Sequence, residues 1–250
     1  MPVSVITGAS KGLGLELTRQ LAARGEHVFA LVRKANADLA AVPGNVTVIE
    51  GVDVTSDDAM TKITEALGDT KVDCLINNAG AYGGPVPEGD PMAMFAIQSL
   101  TNITPDVMRD SFELNTIAPL RVTKAVLPKM AGTGAKVIII TSLMGSIADN
   151  GSGGSYAYRA AKAAVNMVGK SLAMDLKDKG IAVGLVHPGA VKTHFVGGGH
   201  AKIPEKMAAS MHDVEPSVRG VIEGIDATTM ENTGCFVHGN YGEGIKPCPW

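Results

Sequence analysis

Short runs of β-branched and other apolar residues recur along the chain at Val3–Ile6, His27–Val32, Val46–Ile49, Val72–Ile76, Lys136–Thr141, Ile181–Val186 and Cys235–Val237, and they alternate with longer stretches of helical spacing. Few architectures accommodate that rhythm. Strands that are apolar throughout need cover on both faces, and helices that return the chain between them supply it. The expectation is an α/β fold with a doubly wound, parallel sheet of about seven strands. The first helix is expected from Gly12, with Leu13, Leu17 and Leu21 at four-residue spacing, and Gly25 suits the left-handed position beyond its end. No repeat, charge block or Pro/Gly/Ser-rich linker divides the 250 residues, so one domain over 1–250 is expected. Two stretches interrupt the rhythm, Ala81–Thr104 and His194–Pro216; both are rich in Gly and Pro at or near their starts. Loops at the carboxyl ends of parallel strands form binding sites, so each is read as either a lid or an ordinary surface excursion.

Composition narrows the partners. Hydrophobic residues make up 45% and charged residues 19% of the chain, a balance that favours a large buried core over disorder. The net charge of −3 lacks the basic excess of a nucleic-acid binder. Cys74, Cys235 and Cys248 are odd in number, widely spaced and without a CxxC pair, which fits reduced thiols in a cytosol. The start, MPVSVITGAS, has no basic segment leading into a signal-length apolar core, and no apolar run nears the roughly 18 residues that span a bilayer. A cytoplasmic protein without membrane partners is expected.

Thr7-Gly8-Ala9-Ser10-Lys11-Gly12-Leu13-Gly14 follows the first strand and opens the leucine-striped helix, the setting of a phosphate-binding glycine loop. Glycine lets the backbone turn tightly and approach a pyrophosphate, while free N–H groups and the helix dipole favour negative charge. Tyr158 and Lys162, four apart in a segment without proline, share one helix face; Tyr156 has Ala160 at the matching position. A phenol of pKa near 10 is a poor acid or base at neutral pH, and an adjacent ammonium is expected to lower that value. Ser142 closes the run Val137–Thr141 at a strand's carboxyl end, where a hydroxyl can either hydrogen-bond a reacting oxygen or cap a turn; Thr141 and Ser146 are weaker candidates for the same part. His27, His187, His194, His200, His212 and His238 form no HxxxH pair, so no metal is expected. Ser142 also lacks a GxSxG setting, which argues against an acyl hydrolase.

The TGxxxGxG pattern, Asn77-Asn78-Ala79-Gly80, Asn115 in ELNTIAP, the YxxxK pair and Pro188-Gly189 with Thr193 occur in the order that resembles the short-chain dehydrogenase/reductase family, over nearly the whole chain. YAYRAAKAAVNM from Tyr156 and the Pro-Trp ending bring it nearest to the C-factor-like and carbonyl-reductase-like branch. The resemblance implies a Rossmann-like sheet and a nicotinamide cofactor, held by Gly8, Ser10, Lys11, Gly12, Leu13, Gly14, Asp53, Val54, Asn78, Ala79, Gly80, Tyr158, Lys162, Pro188, Gly189, Val191 and Thr193. It also implies the catalytic set Asn115, Ser142, Tyr158 and Lys162, with Tyr158 exchanging the proton and Lys162 holding the nicotinamide ribose. Taken alone, Asp53 is also what a turn cap requires, and NNAG what a strand-ending turn requires.

After strand two, where an NAD-preferring member of the family presents an acidic residue, this chain has Val32 and Arg33. Arg33 and Lys11 are therefore expected to bracket the extra phosphate of NADP(H). Pro119 has no N–H for the carbonyl of Asn115, and in a helical stretch that carbonyl is expected to hold a water leading from Lys162 to solvent, or else the proline only kinks the helix. An apolar substrate wall is expected from Leu143, Met144, Tyr156 and Phe195, each equally suited to core packing. The small-residue stretch Ala160–Gly169 is a candidate homodimer or homotetramer contact. The expected function is NADPH-dependent reduction of an aldehyde or ketone, reversible as alcohol oxidation. The competing expectation is a nucleotide-binding signalling protein of C-factor type on the same fold.

Overall fold

The computed structural model describes residues 1–85, 92–193, 195, 205–239 and 244–250. One sheet runs through them in the order β3-β2-β1-β4-β5-β6-β7-β8, from strands β1 Val3–Thr7, β2 His27–Leu31, β3 Val46–Ile49, β4 Cys74–Asn77, β5 Lys136–Ile140, β6 Ala182–His187, β7 Cys235–His238 and β8 Lys246–Pro247. The first seven pair in parallel. The eighth is a two-residue antiparallel addition to β7 that sequence periodicity does not reveal; it ends in a proline, a residue confined to sheet edges. Val72, read as the start of a strand, instead makes an isolated bridge to Met130 two residues before β4 begins.

The helices are α1 Gly12–Ala23, α2 Ala37–Ala40, α3 Asp57–Leu67, α4 Ala93–Ile97, α5 Pro105–Phe112, α6 Ala118–Val126, α7 Tyr156–Asp175, α8 Glu205–Ala208 and α9 Val214–Ala227. Alternate strand residues face opposite layers. Val5, Leu75, Val137, Ile139, Val183 and Leu185 pack with α3, α6 and α7, whereas Ile6, Ile76, Ile138, Ile140 and Val186 pack with α1, α2 and α9. This two-sided burial is why each strand reads as an unbroken apolar run, and each fully buried Leu or Ile contributes roughly 1.5–3 kcal/mol. In α1, Leu17 and Leu21 are buried, Leu13 is partly so, and Gly25 takes φ +87° just past the helix.

The two irregular stretches contain α4 and α8 respectively, and Pro216 falls in the first turn of α9, a position that tolerates its missing N–H. His194 and His200, at the start of the second stretch, lie outside the described residues. Ala160–Gly169 is largely turned inward: Ala161, Val165 and Gly169 are buried, and a Cβ at Gly169 would meet Leu185 of β6 at 2.6 Å. The small residues there let α7 lie close to its own sheet, while Met167 stays exposed. Among the described residues no helix is long and apolar enough to cross a membrane.

The strand order reverses between β1 and β4, and crevices at such points, outside the carboxyl ends of the strands, hold ligands in open α/β sheets. Thr7, Asn77, Ile140 and His187 end the strands that border this mouth.

Candidate active site

At the end of β1, Gly8 (φ +68°) donates its N–H to the Leu31 carbonyl at 3.0 Å, and Gly12 (φ +56°) turns the chain into α1. Gly14 is needed for space: a Cβ there would lie 2.6 Å from Asn78 Nδ2 and closer still to the Gly8 carbonyl. The loop is clamped to NNAG through Thr7, whose Oγ1 accepts the N–H groups of Asn78 and Ala79, both at 3.0 Å. Asn78 Nδ2 returns a bond to the Thr7 carbonyl at 2.9 Å. Lys11 occupies the N-cap of α1 without a side-chain cap bond, so no capping side chain competes for the first-turn amides; a twelve-residue helix end of this kind is a seat for an anion. Thr193 closes on the loop, its side chain 3.5 Å from where a Cβ on Gly12 would stand. Ser10 is tied to the next loop by Asn36, whose Nδ2 donates to its carbonyl at 2.8 Å.

The outlying expected positions are less uniform. Asp53 is a turn cap: its Oδ1 accepts from Thr55 N at 3.0 Å and Thr55 Oγ1 at 2.7 Å, and these bonds, helped by the charge of Arg33, hold its carboxyl below the usual value. Val54 is buried in the core beneath α3 and α6. Val191 is buried and bridges to His212, the Pro188 carbonyl accepts from Ser217 Oγ at 2.8 Å, and Gly189 adopts φ +83°. Arg33 and Lys11 are both exposed.

The catalytic candidates converge at the carboxyl ends of β4 and β5. Ser142 follows β5 and caps the short 3-10 turn Leu143–Gly145, accepting from Met144 N at 3.2 Å. Tyr158 and Lys162 lie one turn apart on α7, both buried, with Lys162 Nζ 5.8 Å from the centre of the Tyr158 ring and donating to the Ile140 carbonyl at 3.0 Å. Asn115 grips the segment after Gly80: its Nδ2 donates to the Ala81 carbonyl at 2.9 Å, and its Oδ1 accepts from Ala81 N at 3.3 Å. A Cβ at Gly80 would approach Asn115 Oδ1 to 2.9 Å and Lys162 Nζ to 3.8 Å.

Asn115 does not sit in an ordinary helix. Residues Glu113–Ile117 form a π-helical turn between α5 and α6, and the N–H of Ala118 reaches back five residues to the Glu113 carbonyl. Pro119 follows at the start of α6; it cannot donate to Asn115, and the widened turn lies directly before this break in the ladder. Thr116 Oγ1 anchors this turn to α7 through the Ala161 carbonyl at 2.8 Å.

The electrostatics depart from the expectation for Tyr158. Burial pushes its phenol well above the ordinary tyrosine value, a hydrogen bond with Ser142 pulls it back in part, and Tyr82 raises it further. Burial pushes Lys162 down to about 8. Both groups are short of solvent, and the lost hydration disfavours the charged form of each.

Of the four wall residues, Met144 and Phe195 do pack near Tyr158, with Tyr82, Met94 and Phe95. Leu143 packs into the core instead, and Tyr156, 42% exposed, borders a surface groove of about 470 Å³ shared with Ile103, Thr104, Pro105 and Met108. Tyr82 is the contributor sequence reasoning missed. Its ring stacks on Tyr158 at 5.1 Å and 26°, its hydroxyl bonds Ser155, and its only sequence signal is an aromatic two residues after NNAG. Among the described residues no group of three His, Cys, Asp or Glu side chains is placed to hold a metal ion.

Residues 2–202 match the family model for short chain dehydrogenases. The chain is similar to 1-hydroxy-2-glutathionyl-2-methyl-3-butene dehydrogenase of Rhodococcus sp. (strain AD45), 37% identical over 95% of this chain and 96% of that protein. It is 39% identical to the C-signal protein of Myxococcus xanthus over 66% of this chain and 87% of that one. In structure it resembles the NADPH-bound carbonyl reductase from chicken fatty liver, with a TM-score of 0.79, 28% identity and full coverage of both chains. With its glycine loop, NNAG clamp and YxxxK helix assembled at one mouth, this chain belongs to the short-chain dehydrogenase/reductase family of oxidoreductases.

Proposed function

We propose that residues 1–250 act as one NADP(H)-dependent domain that reduces an aldehyde or ketone, and reversibly oxidises the alcohol, with Tyr158 as the proton donor. The observation that carries the reading is the meeting of Ser142, Tyr158 and Lys162 beside a glycine loop whose helix end has no side-chain cap. The residues fit a dinucleotide: Gly8, Gly12 and Gly14 leave backbone room for a pyrophosphate, Asn78 and Thr193 border it, and Arg33 with Lys11 supply cations for a further phosphate. The NADPH bound to the chicken carbonyl reductase supports the same choice here. A bound nicotinamide supplies the hydride.

The chain's own residues do the rest. The Ser142 hydroxyl lies near enough to act on the Tyr158 phenol, so a carbonyl oxygen placed between the two receives two hydroxyl donors as its negative charge develops. Tyr158 then releases its proton to that oxygen, and a protonated Lys162 steadies the phenolate left behind. Desolvation raises the phenol's resting value, which keeps it protonated and ready to donate in the reductive direction. Asn115 holds the Ala81 segment, and the carbonyl at the widened turn before Pro119 is the proposed anchor for a water that returns a proton by way of Lys162.

The test is an NADPH-consumption screen over aldehydes and ketones, run beside Tyr158→Phe. Turnover that falls by on the order of 10²-fold or more in the variant is expected. Nucleotide binding without any Tyr158-dependent turnover would overturn the reading and favour a role through occupancy alone.

A further inference from the structure

Gln98 is fully buried, yet it lies just past α4, in the irregular stretch that reads in sequence as a lid or a surface excursion. Its Nε2 donates to the Tyr82 carbonyl at 2.6 Å and to the Gly83 carbonyl at 3.3 Å. Its Oε1 accepts the N–H of Tyr158 at 2.8 Å, and its own carbonyl accepts the N–H of Tyr156 at 3.2 Å. First-turn amides of a helix have no partner within the helix. Here one glutamine serves two of them, and its side chain also grips the backbone that carries Tyr82.

Ser155 stands at the N-cap position of α7 but does not cap it with its side chain. It takes a left-handed conformation (φ 51°, ψ 38°) and turns its hydroxyl to Tyr82. A non-glycine residue in that conformation is strained and must be held by its surroundings. The Tyr82 side chain is therefore fixed at its hydroxyl by Ser155, and its backbone by Gln98; the Tyr158 backbone is fixed by the same Gln98. The two rings lie face to face between these ties.

We propose that Gln98 is a positioning residue, which sets the Tyr158 phenol against Tyr82 by bridging the two backbone segments that carry them. This rests on the reading of Tyr158 as the proton donor. Among the described residues, the charged groups that face or act on the Tyr82–Tyr158 pair are Lys162 on α7, near the Tyr158 ring, and Arg159, whose charge acts on Tyr82. Without Gln98 the loop and helix can part, water reaches the phenol, and Tyr158 ionises nearer the ordinary value of about 10.

The experiment compares the wild type, Gln98→Met, Gln98→Glu and Tyr158→Phe. Gln98→Met is expected to lower kcat about 10–100-fold with little change in nucleotide affinity, as a small misplacement of a reacting group does. The phenol that ionises at the highest pH, followed by ultraviolet titration, is expected to ionise at lower pH in this variant. A protonated carboxylic acid at this position donates from one oxygen and accepts at the other, as the amide does from its nitrogen and its oxygen. Gln98→Glu is therefore expected to recover kcat as pH falls, whereas Gln98→Met does not. Hydrogen exchange on the unmodified chain gives a readout that needs no variant to fold: the Tyr158 amide is expected to be protected like the interior of α7. A folded Gln98→Met with wild-type kcat and phenol titration, or an unprotected Tyr158 amide, would overturn the proposal. Full activity in Tyr158→Phe would instead remove the proton-donor reading, leaving exchange and titration to judge the bridge itself.

Discussion

Gly145→Ala isolates packing between the catalytic serine's turn and the catalytic helix. Gly145 ends the turn that Ser142 caps, and its φ is outside the left-handed region, so alanine fits the backbone. Space is the obstacle. An added Cβ would stand 2.6 Å from the Lys162 carbonyl carbon, 2.8 Å from its oxygen and 2.9 Å from Ala163 N, all of them backbone atoms inside α7. Ordinary contact begins at 3.4 Å, so turn and helix must separate by about 0.8 Å, the difference between 3.4 and 2.6. Overpacking of this kind costs about 1–3 kcal/mol. In a chain of this size that is roughly 2–4 °C in Tm for each kcal/mol. The separation also draws Ser142 from Tyr158, and a misplacement near 1 Å costs on the order of 10²-fold in rate. Thermal melts and turnover at saturating nucleotide measure the two effects, with Gly151→Ala as the control because nothing lies within 4 Å of its added Cβ. A Gly145→Ala protein with the Tm and kcat of the control would refute the packing argument.

Gly14→Ala should weaken nucleotide binding by at least about 10-fold, because its Cβ meets the Gly8 backbone and Asn78 at a phosphate seat; a fluorescence titration with unchanged Kd would count against that seat. Replacing Arg33 and Lys11 by alanine together should reduce kcat/KM for NADPH about 10–100-fold while leaving NADH nearly unaffected, and an equal effect on both coenzymes would reject the phosphate assignment. Lys162 gives a pH signature in stability. Its folded value near 8 lies below the ordinary 10.5, so between those limits the unfolded chain binds more protons and this residue makes stability rise with pH. The gain amounts to up to about 3 kcal/mol and should vanish in Lys162→Met; denaturant unfolding that shows the same pH slope in both proteins would contradict it.

Much of the architecture was legible because its determinants are local. Strands buried on both sides, such as Val137–Ile140, advertise themselves as apolar runs whatever their partners are. The Tyr158–Lys162 spacing is a property of one helical turn, and the glycine loop is a property of one strand-to-helix junction. What stayed hidden depends on partners brought together by the fold. Gln98 meets the Tyr158 amide from 60 positions away, Gly145 is required by α7, and Tyr82 matters through the face it presents to Tyr158.

The misread acidity of Tyr158 has the same origin. A pair four residues apart on one helix promises an ammonium beside a phenol, and that much is present. Sequence spacing says nothing about how far Tyr82, Met94, Phe95, Met144 and Phe195 exclude water from the pair, and this exclusion reverses the direction of the shift. Residues remote in the chain thus decide the protonation state on which the local motif acts. That places the control of proton donation in the packing around the YxxxK pair, where Gln98 holds the Tyr82 segment to the amino end of α7.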